Sequence, residues 1–120
     1  MASIREVMSS SIVSVAPAAS VAEAATVMAT NKVGAALVMN GEALEGIFTE
    51  RDILRALGEH FDAAGHLVSH WMTPSPTSLP PDATAAEALD LMLEHGFRHV
   101  PVVEGERVIG IVSMRDVTPR

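Results

Sequence analysis

The chain repeats itself. Residues 7–53 overlay residues 71–117 at a constant shift of 64 without a gap, and 16 of the 47 paired positions are identical. Met8/Met72, Pro17/Pro81, Glu23/Glu87, Met28/Met92, Gly41/Gly105, Gly46/Gly110, Arg51/Arg115 and Asp52/Asp116 are among them. A unit of this length is too small to build a good core alone, so two copies should pack face to face about a pseudo-two-fold axis. Such packing generates two related clefts, which points to a binding module more than to a single catalytic pocket.

Composition narrows the choice. A chain of 120 residues makes one compact module, able to bury about two thirds of its unfolded surface. A hydrophobic content of 48% with only 3% aromatic means a core of Ala, Val, Leu, Ile and Met. There is no cysteine, which excludes disulfides, thiolate metal ligands and a cysteine nucleophile. The longest apolar run, 33–39, is far below the roughly 20 residues of a spanning helix. No apolar signal region follows Arg5 and Glu6, so a cytoplasmic protein with no membrane partner is the expectation. The net charge of −7 argues against nucleic acid, which needs a basic face. It does not exclude a small anion, because screening over about 8 Å lets a few arginines dominate locally.

Each copy has the same order of signals. Amphipathic openings at 4–8 and 68–72 lead into extended segments with Ser and Pro at 11–15 and 75–79. Ser20-x-x-Glu23 and Thr84-x-x-Glu87 then announce helices as capping boxes: the hydroxyl accepts from a first-turn amide while the glutamate reaches back. Val21, Ala24, Ala25 and Met28 recur at helical spacing, as do Ala85, Ala88, Leu89 and Met92. Two apolar runs follow, 35–39 and 44–48 around Asn40-Gly41, a hairpin signal because both residues tolerate positive φ. The second copy has 100–103 and 108–112 around Glu104-Gly105-Glu106. A second helix is predicted from Thr49 to about Leu57, and a clipped counterpart from Ser113. The expected architecture is α+β, two tandem repeats of strand–helix–strand–strand–helix related by a pseudo-two-fold. Its segments are residues 1–58, a linker at 59–66, and 67–120.

The most repeated chemistry is Gly46-Ile47-Phe48-Thr49-Glu50-Arg51-Asp52, echoed by Gly110-Ile111-Val112-Ser113-Met114-Arg115-Asp116. Each places Gly, a hydroxyl, Arg and Asp at a strand-to-helix junction. A helix N-cap with an acidic third position explains the pattern without any ligand. The same geometry suits a sugar-phosphate: free amides and a hydroxyl for an anion, a carboxylate for a vicinal diol, and a Gly that lets a ligand approach the backbone.

These features, in order and twice, resemble a pair of CBS (cystathionine beta-synthase) domains. The matching signals are the Met opening before the extended Pro segment, the Ala-Glu-Ala helix, Phe97-Arg98-His99-Val100-Pro101-Val102-Val103, and Gly-x-x-[Thr/Ser]-x-x-Asp in both halves. The resemblance implies a disc-like pair whose clefts bind adenosine nucleotides or related ligands. It implies Thr49 and Ser113 facing phosphate, Asp52 and Asp116 holding ribose hydroxyls, and Ile12, Val13, Pro76 and Thr77 walling the base. It also implies basic residues, here Arg98 and His99, near phosphates, serving the Thr49/Asp52 cleft from across the two-fold. Arg51 is a further phosphate candidate, with a surface ion pair as its alternative.

Repeat one has Gly34 and Ala35 where repeat two has Arg98 and His99, so unequal clefts are expected. His66 and His70 share an i, i+4 spacing, but a linker is a poor scaffold for a metal site, and exposed histidines explain them better. Trp71, the lone tryptophan, suits a core or a dimer interface better than base stacking. No Walker-type loop, nucleophile elbow or acid–base pair stands out. The expectation is therefore a regulatory module, not an enzyme, with no cofactor. It would sense AMP, ADP or ATP, form a homodimer and signal to a regulated protein. The alternatives are a ligand-free structural dimerisation module, or a sensor of S-adenosylmethionine, NAD or a metal ion.

Overall fold

The computed structural model describes residues 2–118. In chain order the elements are α1 (Ile4–Val7), β1 (Ser14–Val15), α2 (Val21–Asn31), β2 (Ala35–Asn40), β3 (Ala43–Thr49), α3 (Glu50–Glu59), β4 (Thr73–Pro74), α4 (Ala85–His95), β5 (His99–Glu104), β6 (Arg107–Ser113) and α5 (Met114–Val117). Single 3-10 turns at Ala63–Gly65 and Val68–His70 lie between α3 and β4. The α+β arrangement and the two-fold repetition of strand–helix–strand–strand–helix are as the sequence predicts.

The chain divides into two compact units, a central one of residues 13–76 and a terminal one built from residues up to 12 and from 77 onward. The units do not follow the repeats. In the central unit the sheet order is β1-β2-β3-β4, with β1 parallel to β2 and the other pairs antiparallel. Its fourth strand, Thr73–Pro74, comes from the opening of repeat two and pairs with Ile47 and Gly46. The terminal unit mirrors this with single bridges in place of short strands: Leu79 pairs parallel to Val102, and Ser9 pairs antiparallel to Ile111. The repeat opening thus caps the edge of the hairpin in the same unit, where bare strand edges would invite foreign pairing.

Each hairpin turns on one left-handed glycine, Gly41 at φ 63° and Gly105 at φ 65°. Asn40 is not left-handed; it ends β2 opposite Ala43. Positive φ at the first central position alone is the type II′ requirement, so the turn needs its glycine and not the asparagine. Both hairpins carry a register shift, between Val38/Met39 and between Val102/Val103. This bulge falls immediately before Gly46 and Gly110.

The cores follow the helical stripes. Val21, Ala24 and Met28 of α2 pack with Ala36, Val38, Phe48, Val68 and Trp71 in the central unit. Ala88 and Met92 of α4 pack with Ile4, Val100, Val102 and Val112 in the terminal one. Ser20 completes its capping box with Glu23. Thr84 accepts from the Glu87 amide, but the glutamate does not reach back, so only half of that predicted box forms. The segment 59–66, predicted as a linker, is built into the central unit: Ala63 is fully buried, and the His66 carbonyl accepts from the Val21 amide at 2.9 Å. Among the described residues no helix is long and apolar enough to cross a membrane.

Candidate functional site

Both hydroxyl-x-x-aspartate motifs fold as complete capping boxes. Thr49 ends β3 in extended backbone and caps α3; Ser113 ends β6 and caps α5 in the same way. The Asp52 amide donates to Thr49 Oγ1 at 3.3 Å, and the Asp116 amide donates to Ser113 Oγ at 3.4 Å. In return the Thr49 and Ser113 amides donate to the Oδ2 atoms of Asp52 and Asp116, at 2.9 and 2.8 Å. The first amide of each helix is also taken. Glu50 donates to the Gly34 carbonyl at 3.0 Å and Met114 to the Arg98 carbonyl at 2.8 Å. The free amides expected to receive a phosphate are therefore largely occupied by the protein itself, because the residue before β2 or β5 folds back onto the helix start.

The motif glycines correct a second expectation. A Cβ at position 46 would meet the Met72 side chain and the Thr73 carbonyl oxygen, the latter at 2.9 Å. At position 110 it would meet Met8 Sδ at 2.6 Å and the Ser9 carbonyl oxygen at 2.7 Å. The space beside each glycine is filled by the opening of a repeat, not left open to a ligand. The shared identities Met8/Met72 and Gly46/Gly110 are one packing feature seen twice.

The two aspartates differ in what remains available. Asp52 is buried, 8% exposed, and both of its carboxylate oxygens have partners. Its Oδ2 accepts from the Thr49 amide and from Thr49 Oγ1 (3.1 Å), while Oδ1 faces Arg55 Nη2 at 3.4 Å. Asp116 is half-buried, and its Oδ1 takes no hydrogen bond among the described residues. A carboxylate oxygen can accept two hydrogen bonds, so the second motif keeps a whole oxygen open where the first shares its Oδ1 with Arg55.

The other predicted site residues divide between the units. Val13 and Pro76 belong to the central unit, where Val13 packs on the core and its carbonyl accepts from the Leu37 amide at 2.9 Å. Ile12 and Thr77 belong to the terminal unit, and both are exposed. Arg51 is exposed beside Asp52. Arg98 is exposed, and half-buried His99 pairs directly with Ser113 across the hairpin. The backbone therefore brings Arg98 and His99 to the Ser113/Asp116 motif of their own unit.

Arg55, which the sequence pattern did not single out, ties the first motif to Trp71. Its Nη2 donates to the Trp71 carbonyl at 3.0 Å, and its guanidinium lies 5.0 Å from the indole centroid. Trp71 is 8% exposed in the core of the central unit and donates from Nε1 to His66 Nδ1 at 3.1 Å. His66 Nε2 faces Asp62 at 3.6 Å, so His66 is an indole partner and not an ordinary surface histidine. The i, i+3 spacing of Asp52 and Arg55 on one helix was the available signal.

The chain belongs to the CBS domain family, whose model matches residues 4–59 and again residues 68–119. It is 32% identical to the CBS domain-containing protein YhcV of Bacillus subtilis over 118 residues, covering 98% of this chain and 84% of that one. A CBS-domain containing protein from Agrobacterium tumefaciens superposes with a TM-score of 0.92 at 32% identity, covering 98% of this chain and 92% of its own. A CBS domain protein from Pyrobaculum aerophilum, complexed with AMP, has a TM-score of 0.87 at 30% identity, with coverages of 95% and 88%.

Proposed function

We propose that this chain is a regulatory module that binds an adenine nucleotide at its hydroxyl-x-x-aspartate motifs and passes the occupancy to a partner protein. The observation that carries this reading is the Asp116 carboxylate. One oxygen is fixed by the Ser113 amide and the other accepts nothing among the described residues, which suits a vicinal diol. Exposed Arg98 and Arg115 on the same unit offer cations for a phosphate. The AMP complex of the Pyrobaculum relative supports adenosine as the diol-bearing group. Such a ligand acts on a partner only through unequal affinity for two states of the module. A second copy is the further partner proposed: Leu54 and Leu57 are exposed three residues apart on α3, and Phe61, just beyond its end, is exposed too.

Calorimetric titration with AMP tests the site. Asp116→Asn removes charge from a diol acceptor and should weaken binding by about 10- to 100-fold, the range of a charge-assisted hydrogen bond. Asp52→Asn should change it by less than about threefold, because Thr49 holds one of its oxygens and Arg55 stands before the other. Equal losses, or a larger loss at Asp52, would contradict the placement. If neither substitution matters because AMP does not bind, the caps are purely structural and the module is a dimerising scaffold. A response to NAD, S-adenosylmethionine or zinc alone would move the chain to another ligand class.

A further inference from the structure

Among the described residues, the first motif has a counter-ion that the second lacks. At the 64-residue shift the counterpart of Arg55 is Pro119, and the counterpart of Trp71 is Val7. Only the central unit can therefore place a guanidinium between an aspartate and an indole. Asp52 Oδ2 is filled by two donors from Thr49, which leaves Oδ1 as the oxygen a ligand could reach. Arg55 Nη2 stands before that oxygen at 3.4 Å, anchored by the Trp71 carbonyl and seated over the indole. The indole is itself fixed by its bond to His66.

We propose that Arg55 is a positioning residue that closes the first motif to a ligand's vicinal hydroxyls, and that opening the motif lifts Arg55 away from Trp71. The proposal rests on reading Asp52 as a diol acceptor, and it deepens that reading into a rule for which motif fills first. A diol arriving at Oδ1 must displace or share the guanidinium. The other oxygen is held by two donors from Thr49. Displacement changes the charge over the only tryptophan of the chain, so the event has an optical signature. The second motif, without this closure, fills first.

Two measurements test this on the full-length protein. The ligand-free one is the Trp71 near-ultraviolet dichroism and emission of wild type, Asp52→Asn and Asp116→Asn. Removing the Asp52 charge should release Arg55 and change the Trp71 signal, while Asp116→Asn should leave it at the wild-type value. An Asp52→Asn spectrum identical to wild type overturns the proposal whether or not any nucleotide binds. The second is calorimetric titration with AMP in an Asp116→Asn background, which isolates the first motif. Arg55→Gln should tighten AMP binding there by about two- to fivefold, the scale of a half-exposed ion pair. Arg55→Lys, which keeps the cation, should stay nearer the parent affinity. Unchanged or weakened binding in Arg55→Gln overturns the closure. Absence of AMP heat in wild type rejects the nucleotide reading instead, and the ligand-free spectra still decide the coupling.

Discussion

A methyl group added at Gly46 would press on the Thr73 carbonyl, and one at Gly110 on the Ser9 carbonyl. Backbone cannot step aside as a flexible side chain can. Gly46→Ala should therefore destabilise the fold by about 1–3 kcal/mol, the usual cost of overpacking, read as a lowered urea midpoint. Gly58 in α3 has nothing within 4 Å of a built Cβ. Gly58→Ala should instead be neutral or stabilise by about 0.5–1 kcal/mol through helix propensity. Similar losses at both positions would show that the close packing at Gly46 does not matter. The requirement for glycine was legible from its repetition, but its cause was not. A sequence shows that nothing larger is used at a position, not whether a ligand or a carbonyl takes the room. Arg55 was missed for a related reason. Beyond Asp52, its partners are a backbone carbonyl and an indole 16 residues away, and neither of these is visible as a motif.

Elements were the most legible level, because each has a local cause. The α2 and α4 stripes, the hairpins and the helix starts follow from periodicity, turn glycines and capping hydroxyls. What local pattern could not give was the partner of each short edge strand, since the Thr73–Ile47 and Ser9–Ile111 pairings join distant segments. The outward face of α3 carries a prediction of its own. Leu54 is 74% exposed, and Phe61 just beyond the helix is 96% exposed, an apolar row that a second copy is proposed to cover. Leu54→Glu should shift the protein from dimer to monomer in sedimentation velocity, with its far-ultraviolet dichroism unchanged. A wild type that already sediments as a monomer, or a variant that stays dimeric, would contradict that use of α3.

At the scale of the chain, duplication is the organising fact, and its two copies have diverged in chemistry more than in fold. The same cap closes each aspartate, yet one carboxylate is buried under Arg55 and the other keeps an oxygen without a partner among the described residues. The repeat was readable from spacing alone, since a constant 64-residue shift survives substitution at most positions, whereas the family was readable only through the resemblance its motifs carry. The division into units was not, because the contacts of residues 2–12 and 68–76 are set by strand pairing between distant segments. The most direct test of the regulatory reading is thermal unfolding of the intact protein with AMP, beside wild-type samples without ligand and an Asp52→Asn/Asp116→Asn double variant. At 100 times its dissociation constant AMP should add about 2.7 kcal/mol and raise the midpoint, and the double variant should lose that rise. An unmoved midpoint with AMP, or an equal rise in the double variant, would contradict nucleotide binding at these motifs.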